Sequence, residues 1–259
     1  MALYDSIGKG YDATRRADPS IAERLMRHLG LTRGERCLDV ACGTGNYTIA
    51  LANQGLRMHG LDRSPTMLQA ARAKSNLGHW CLGDAGALPF PDRSFPGVVC
   101  TLAIHHFPAL ESAFCEAFRV LGRDGRFVLF TQTPEQMRGI WLNRYFPNMV
   151  LRSLGLMPTL ETINNALTGA GFISIATDPY EVAEDLEDLF LYSGKHRPWL
   201  YLDPAVRAGI SSFATLADPQ EVEEGCRALA EDMGSGRIKE VMASYEHDRG
   251  DYLFVIARK

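Results

Sequence analysis

Two hydrophobic rhythms alternate along the first half of the chain. Ile21, Leu25, Met26 and Leu29 share one face at helical spacing, behind Asp18 at the N-cap and Pro19 at the first helical position. Gly30 ends that helix. Residues 36–41 are a short apolar run, predicted as a strand, and the glycine turn Cys42-Gly43-Thr44-Gly45 follows. A helix is expected over 47–54, closed by Gly55. The cycle then repeats. A strand over 57–61 ends at Asp62, and a helix over 64–74 starts with Ser64 as cap and Pro65 behind it. A strand over 80–82 ends at Gly83-Asp84, and another lies over 97–102. A helix over 110–121 and a strand over 125–131 complete the series. Strands that alternate with helices of this length predict βαβ units and a mostly parallel sheet.

The pattern changes after Thr131. Residues 134–156 have helical spacing, a helix is expected over 160–170 and a strand over 172–177. Residues 181–246 read as helical, with no strand before 251–257. The six acids between Asp178 and Tyr192, with no Lys or Arg among them, are expected on a solvated helix face. The late helical stretch is placed as an insertion ahead of the last strand, able to form a lid.

The composition of the 259 residues narrows the class. An apolar fraction of 46% and a charged fraction of 22% are those of an ordinary globular chain, which excludes a disordered or collagen-like protein. A chain this long buries a core without disulfide staples. The net charge of −4 argues against a dedicated nucleic-acid binder, so no nucleic-acid partner is expected. The six cysteines form no C-x-x-C pair and no zinc-finger spacing, so reduced thiols and no metal are expected. No apolar run reaches a membrane span, and residues 1–10 carry no signal-peptide core. A cytoplasmic location without membrane attachment is the expectation.

Candidate chemistry gathers at the strand ends. The run Leu38-Asp39-Val40-Ala41-Cys42-Gly43-Thr44-Gly45-Asn46 joins a strand to a helix, and its glycines let backbone approach a ligand. A dinucleotide fingerprint needs a third glycine, which would fall on Asn46 or Thr48, so the nicotinamide reading weakens. Asp62 ends the second strand, where a carboxylate accepts hydrogen bonds from both ribose hydroxyls. With Asp39 and Asp84, three acids surround one crevice at the carboxyl edge of the sheet. They suit a ligand with ribose, amine and base donors, not a pyrophosphate.

This constellation resembles the class I S-adenosylmethionine-dependent methyltransferases of small-molecule type, over roughly residues 30–132. Asp39-Val-Ala-Cys-Gly-Thr-Gly45 is similar to the family's first motif, with Ala41 in place of its first glycine. The resemblance implies a doubly wound α/β fold whose seven-stranded, mostly parallel sheet has its last strand antiparallel, with a helical insertion or lid. It implies one domain over 1–259, made of a lead-in (1–29), a cofactor core (30–132) and acceptor-side insertions (133–158 and 181–246). It implies S-adenosylmethionine as cofactor, held by Asp39, Ala41, Gly43 and Gly45 beside its methionine part. Asp62 would hold the ribose, Arg63 and Met67 would flank the adenine, and Asp84 and Ala85 would read its edge. Leu102, after the fourth strand, would present backbone to the cofactor amine.

Three further expectations follow. Tyr11 and Arg15, four apart, share a helical face and are placed over the methionine carboxylate. His106, and after it His105, are candidate general bases, since histidine titrates near neutrality. Trp141, Tyr145, Phe146, Phe190, Tyr192, Trp199 and Tyr201 are candidates for an apolar acceptor pocket, and Lys195-His196-Arg197 for holding an anionic acceptor. The expected reaction is direct methyl displacement onto a small-molecule N, O or C nucleophile, by a monomer or homodimer. The alternatives are an RNA or protein methyltransferase, a non-catalytic cofactor-binding partner protein, and a thiol-dependent metalloid methyltransferase. The N-P-P-Y/F tetrapeptide of amino-methylating macromolecule enzymes is absent: the fourth strand runs into Ala103-Ile-His-His106.

Overall fold

The computed structural model describes residues 11–259. Helix α1 (Tyr11–Thr14) leads into α2 (Pro19–Leu29), which starts and stops where its residues dictate. Asp18 Oδ1 accepts from the Ile21 N–H at 3.1 Å, and Gly30 ends the helix in the left-handed region at φ 64°. The order continues β1 (Arg36–Val40), α3 (Asn46–Asn53), β2 (Arg57–Asp62), α4 (Pro65–Lys74), β3 (His79–Leu82), β4 (Phe95–Thr101), α5 (Leu110–Val120) and β5 (Leu121–Thr131). The second half holds α6 (Pro134–Arg138), α7 (Pro147–Leu154), α8 (Leu160–Ala170), β6 (Ser174–Tyr180), α9 (Pro204–Gly209), α10 (Ser211–Thr215), α11 (Pro219–Ser235), α12 (Ile238–Ala243) and β7 (Tyr252–Arg258).

The seven strands form one sheet in the order β3-β2-β1-β4-β5-β7-β6. β7 runs antiparallel to both neighbours, and the other pairings are parallel. Both faces are covered, so successive residues of the central strands enter opposite cores. Cys37, Met58, Val99 and Val128 pack on the α2 side against Ile21 and Leu25. Leu38, Val98, Cys100 and Leu129 pack on the other against Phe114 of α5 and Ile163 of α8. The strand order reverses between β1 and β4, and the crevice outside their carboxyl ends is where such sheets bind ligands.

The late region departs from the helical expectation. Residues 181–197 contain no helix; they form an irregular strap across the carboxyl side of the molecule. Glu181, Glu184, Asp185 and Glu187 are exposed, so these acids are solvated as expected but lie on no helix. Asp188 is buried against Arg15 and Tyr47, and Asp178, in β6, pairs with Arg24 and His28. β6 also lies further along than expected, at Ser174–Tyr180. Ladder pairing to β7 from Ser174↔Arg258 to Tyr180↔Tyr252 sets those bounds. Among the described residues, no helix is long and apolar enough to cross a membrane.

Candidate active site

The loop between β1 and α3 is built on left-handed backbone. Ala41, Gly43 and Gly45 have φ of 59°, 55° and 78°. Glycine adopts this region freely, whereas Ala41 carries the steric penalty of its Cβ. A Cβ placed on Gly43 would meet nothing within 4 Å, so the loop leaves a cradle there. A Cβ on Gly45 would drive into the Trp80 ring, which also lies over Gly60 and Gly78. Trp80 therefore seals the back of the loop, and glycine is required at 45 on both counts.

Asp62 ties this loop to β2. Its Oδ2 accepts from the Gly43 N–H and its Oδ1 from the Ser64 N–H, each at 2.8 Å. Burial raises its pKa, while the N–H groups of Ser64, Gly43 and Arg63 oppose the rise. A carboxylate has about four acceptor positions. Those not taken by the backbone N–H groups are left for a diol on a ligand.

The N-terminal segment is stitched to the same loop. Lys74 Nζ donates to Asp12 Oδ1 at 2.7 Å, Thr44 Oγ1 at 2.9 Å and Asn46 Oδ1 at 2.6 Å, and Asn46 Nδ2 donates to the Arg15 carbonyl. Arg15 in turn reaches the strap, donating from Nε to Asp188 Oδ1 at 2.5 Å. Tyr47 O–H donates to the same carboxylate at 3.0 Å.

These elements enclose a cavity of about 720 Å³, within the range of small-ligand pockets. Eleven of the expected site residues border it: Arg15, Ala41, Gly43, Asp62, Arg63, Met67, Asp84, Ala85, Leu102, His105 and His106. Leu102 is a second strained residue, at φ 51°, and its N–H donates to the Phe130 carbonyl. Asp84 is exposed, and its Oδ1 accepts from the Gly86 N–H. The Tyr11 side chain lies outside the described residues.

Asp39 and Gly45 are not on the wall. Asp39 is buried beneath the loop, where its Oδ2 accepts from Thr48 Oγ1 at 2.6 Å. It anchors the first turn of α3. Burial raises its pKa to about 7, with the nearby Asp62 charge adding to the rise.

The histidines border the cavity but do not titrate near neutrality. Burial lowers His106 to about 4 and, with His106 beside it, His105 to about 3. Their rings lie 3.9 Å apart. Burial therefore works against a base poised near pH 7 at either position.

Two further expectations are overturned. Of the seven aromatics proposed for the pocket, Phe190 alone lines it. Trp141, Tyr145, Phe146, Tyr192 and Tyr201 are buried in the core, and Trp199 is exposed. Lys195 is spent on Glu181 and Asp251, His196 on the Val182 carbonyl and Arg197 on the Leu186 carbonyl, so the cluster holds the strap and no anion. The wall opposite the loop comes from elsewhere. It includes Gln132, Met137, Ser153, Leu156, Met157, Asp188, Leu191, Ile210, Thr215 and Tyr252. Gln132 directly follows the carboxyl end of β5, the kind of position that flagged Asp62 and Asp84. No periodicity marks the rest.

Residues 38–129 match the family described as a methyltransferase domain. A crystal structure from Anabaena variabilis, assigned as a methyltransferase from an antibiotic biosynthesis pathway, is 38% identical over 94% of this chain and 98% of its own, with a TM-score of 0.84. Demethylmenaquinone methyltransferase of Tropheryma whipplei is 33% identical over 135 residues, 49% of this chain and 56% of that protein. Malonyl-[acyl-carrier protein] O-methyltransferase of Serratia marcescens is 33% identical over 130 residues, 50% of this chain and 51% of that one. The chain thus spans about half the length of the curated relatives it matches. The fold and site define a Rossmann-like transferase of the methyltransferase type. The chain belongs to the class I S-adenosylmethionine-dependent methyltransferases.

Proposed function

We propose that this protein transfers a methyl group from S-adenosylmethionine to a small-molecule acceptor bound beneath the strap and helices α7 and α10. The observation that carries the reading is the cradle at Gly43 beside Asp62, opening into an enclosed cavity. When bound, the cofactor supplies a methyl group already activated on a sulfonium sulfur, and the protein's part is alignment and exclusion of water.

The residues present fit that group. Asp62 has acceptor positions left for the ribose hydroxyls. Met67 and Ala85 offer apolar contact to the adenine, and Asp84 an acceptor for its amino group. Arg15, oriented by Asp188, is the residue we assign to the methionine carboxylate. The strained Ala41 and Leu102 present backbone at the two strand ends flanking the switch point. His105 and His106 remain uncharged at neutral pH, so they orient an acceptor without repelling the sulfonium.

A small molecule suits the enclosed wall of side chains from α7, the strap and α10 better than a polymer does. Both curated relatives described above act, by their names, on small or carrier-bound acceptors. The test is incubation of metabolite extracts with methyl-labelled cofactor. Label entering a low-mass product supports the reading; label found only in protein or RNA contradicts it.

A further inference from the structure

The residues through which the cavity meets solvent differ in kind along its border. After β2 and β3 they include Arg63 and Asp84, which are exposed and charged. On the acceptor side the border is built from the turn after α7 and the end of α10. Leu156, in that turn, borders the cavity and is 50% exposed. Met157 beside it, and Leu216 at the C-cap of α10, border the cavity half-buried. Thr215 is exposed next to Leu216, and its Oγ1 donates to the Ser211 carbonyl at 2.8 Å.

This rim is fixed by hydrogen bonds. Leu156 N–H donates to the Ser153 carbonyl at 3.0 Å and Met157 N–H to the Leu154 carbonyl at 3.3 Å, which closes the turn. Arg152 Nη1 donates to the Leu216 carbonyl at 2.6 Å and ties α7 to the end of α10. Among the described residues, neither Leu156 nor Leu216 joins the apolar cores on the two faces of the sheet. A single exposed leucine is ordinary on a protein surface. Two that border a ligand cavity and take no part in a core leave apolar area for a ligand to cover.

Polar groups stand elsewhere on the wall. Gln132 after β5, Tyr252 at the start of β7 and Asp188 on the strap border the cavity and are buried. With His105 and His106 after β4, most of them lie at the carboxyl edge of the sheet. Along α10 the border passes from Ile210, buried at the N-cap, to Leu216 at the rim. The wall is therefore polar at the sheet edge and apolar where it reaches solvent between α7 and α10.

We propose that the acceptor is an amphiphile. Its polar head, carrying the accepting atom, lies over the sheet edge. A hydrocarbon chain leaves between the α7–α8 turn and the end of α10, covering Leu156 and Leu216. This rests on the methyl-transfer reading, because it describes the second ligand of the same cavity. Leu156 and Leu216 set selectivity for the chain and do not touch the reacting atoms.

The test measures equilibrium binding of 4-ethylphenol, 4-butylphenol, 4-hexylphenol and 4-octylphenol to the protein saturated with S-adenosylhomocysteine. In the wild type, affinity should rise roughly 3-fold for each added methylene through to the octyl chain, the gain that covering apolar surface gives. In Leu156→Ser the advantage of octylphenol over ethylphenol should shrink about 5-fold, with ethylphenol binding retained. Leu77→Ser, at an exposed leucine that does not border the cavity, should leave the whole series unchanged. An affinity that stops rising beyond the butyl chain would mean a closed pocket and overturns the proposal. So does equal weakening of every probe in Leu156→Ser, or failure of the whole series to bind the cofactor-product complex. If the rim instead seats a second copy of this chain, Leu156→Ser would change the sedimentation mass and leave the chain-length series intact, which also overturns it. The wild-type series needs no variant to fold. Failure of S-adenosylhomocysteine itself to bind would be a separate result, striking the methyl-transfer reading.

Discussion

Arg15 and Asp188 form a bidentate ion pair between segments 173 residues apart, with Nε 2.5 Å from Oδ1 and Nη2 3.3 Å from Oδ2. The pair joins the N-terminal segment to the strap at the rim of the cavity. Two further hydrogen bonds, Leu189 N–H to the Thr14 carbonyl and Glu187 N–H to the Asp18 carboxylate Oδ2, run beside it. Breaking it from either side leaves a charge without its partner in a largely dry place.

Asp188→Asn should therefore lower the stability by roughly 2–4 kcal/mol, the scale on which breaking a buried ion pair acts. Denaturant midpoints of wild type and variant measure this, and an unchanged midpoint would show that the pair supports nothing. Arg15→Ala should also weaken S-adenosylhomocysteine binding about 10-fold, since it removes a charge-assisted hydrogen bond to the ligand carboxylate.

The buried titratable groups act in opposite directions over nearly the same pH window. The folded-state values of His105 and His106, about 3 and 4, lie below the ordinary 6.5. Between pH 6.5 and about 4 the unfolded chain therefore takes up protons that the folded chain refuses, and stability falls as the pH drops through that window. Asp39 behaves in reverse: at about 7 against an ordinary 3.8, it keeps in the folded state a proton the unfolded chain has lost. Its contribution to stability falls as the pH rises from about 4 to 7. Asp39→Asn keeps an acceptor for Thr48 and should raise the melting temperature at pH 8, with a smaller gain at pH 5. A gain that is equal at both pH values would contradict the raised carboxyl.

The same values bear on catalysis. If His106 takes a proton from the acceptor, the acid limb of kcat/KM falls near pH 4, not near 6.5. A limb at 6.5 that disappears in His106→Ala would contradict the burial of this side chain.

Ala41→Gly should stabilise the protein by about 0.5–1 kcal/mol. The left-handed backbone costs a non-glycine residue roughly 1–2 kcal/mol, and the added chain entropy of glycine offsets part of the gain. Thermal or chemical melts check the sign, and a loss of stability would show that the Ala41 methyl contributes packing worth more than the strain.

Gly45→Ala should be among the most damaging small changes, costing roughly 2 kcal/mol or more, because strain at φ 78° adds to collision with Trp80. Trp80→Ala in the same chain should recover part of the loss by removing the collision but not the strain. No recovery would mean that the backbone conformation alone makes glycine necessary at 45.

The first half of the fold was legible because local signals and tertiary structure coincide there. Asp18, Ser64, Pro19 and Pro65 cap and open helices as their side chains require. The acids at the ends of β2 and β3 fall at the sheet edge because parallel strands all present that edge to one side. The strap was misread because its order is not local. Asp188, Lys195 and Arg197 are held by partners tens of residues away or by carbonyls of the strap itself, and their spacing mimics a polar helix. The acceptor wall was hidden for the same reason: Ser153, Ile210 and Gln132 meet through topology, with no shared motif. Asp39 was legible as part of the motif, but its burial beneath the loop was not, since the sequence does not reveal that Thr48 turns inward to meet it.

The measurement that bears most directly on the central claim is calorimetric titration of S-adenosylhomocysteine into the wild type and Asp62→Ala. The wild type should bind with one site per chain, and the variant roughly 10- to 100-fold more weakly, for the loss of hydrogen bonds to a charged acceptor. Absence of binding by the wild type, or equal affinity in the two proteins, would contradict the assignment of the Gly43–Asp62 cradle as the cofactor site.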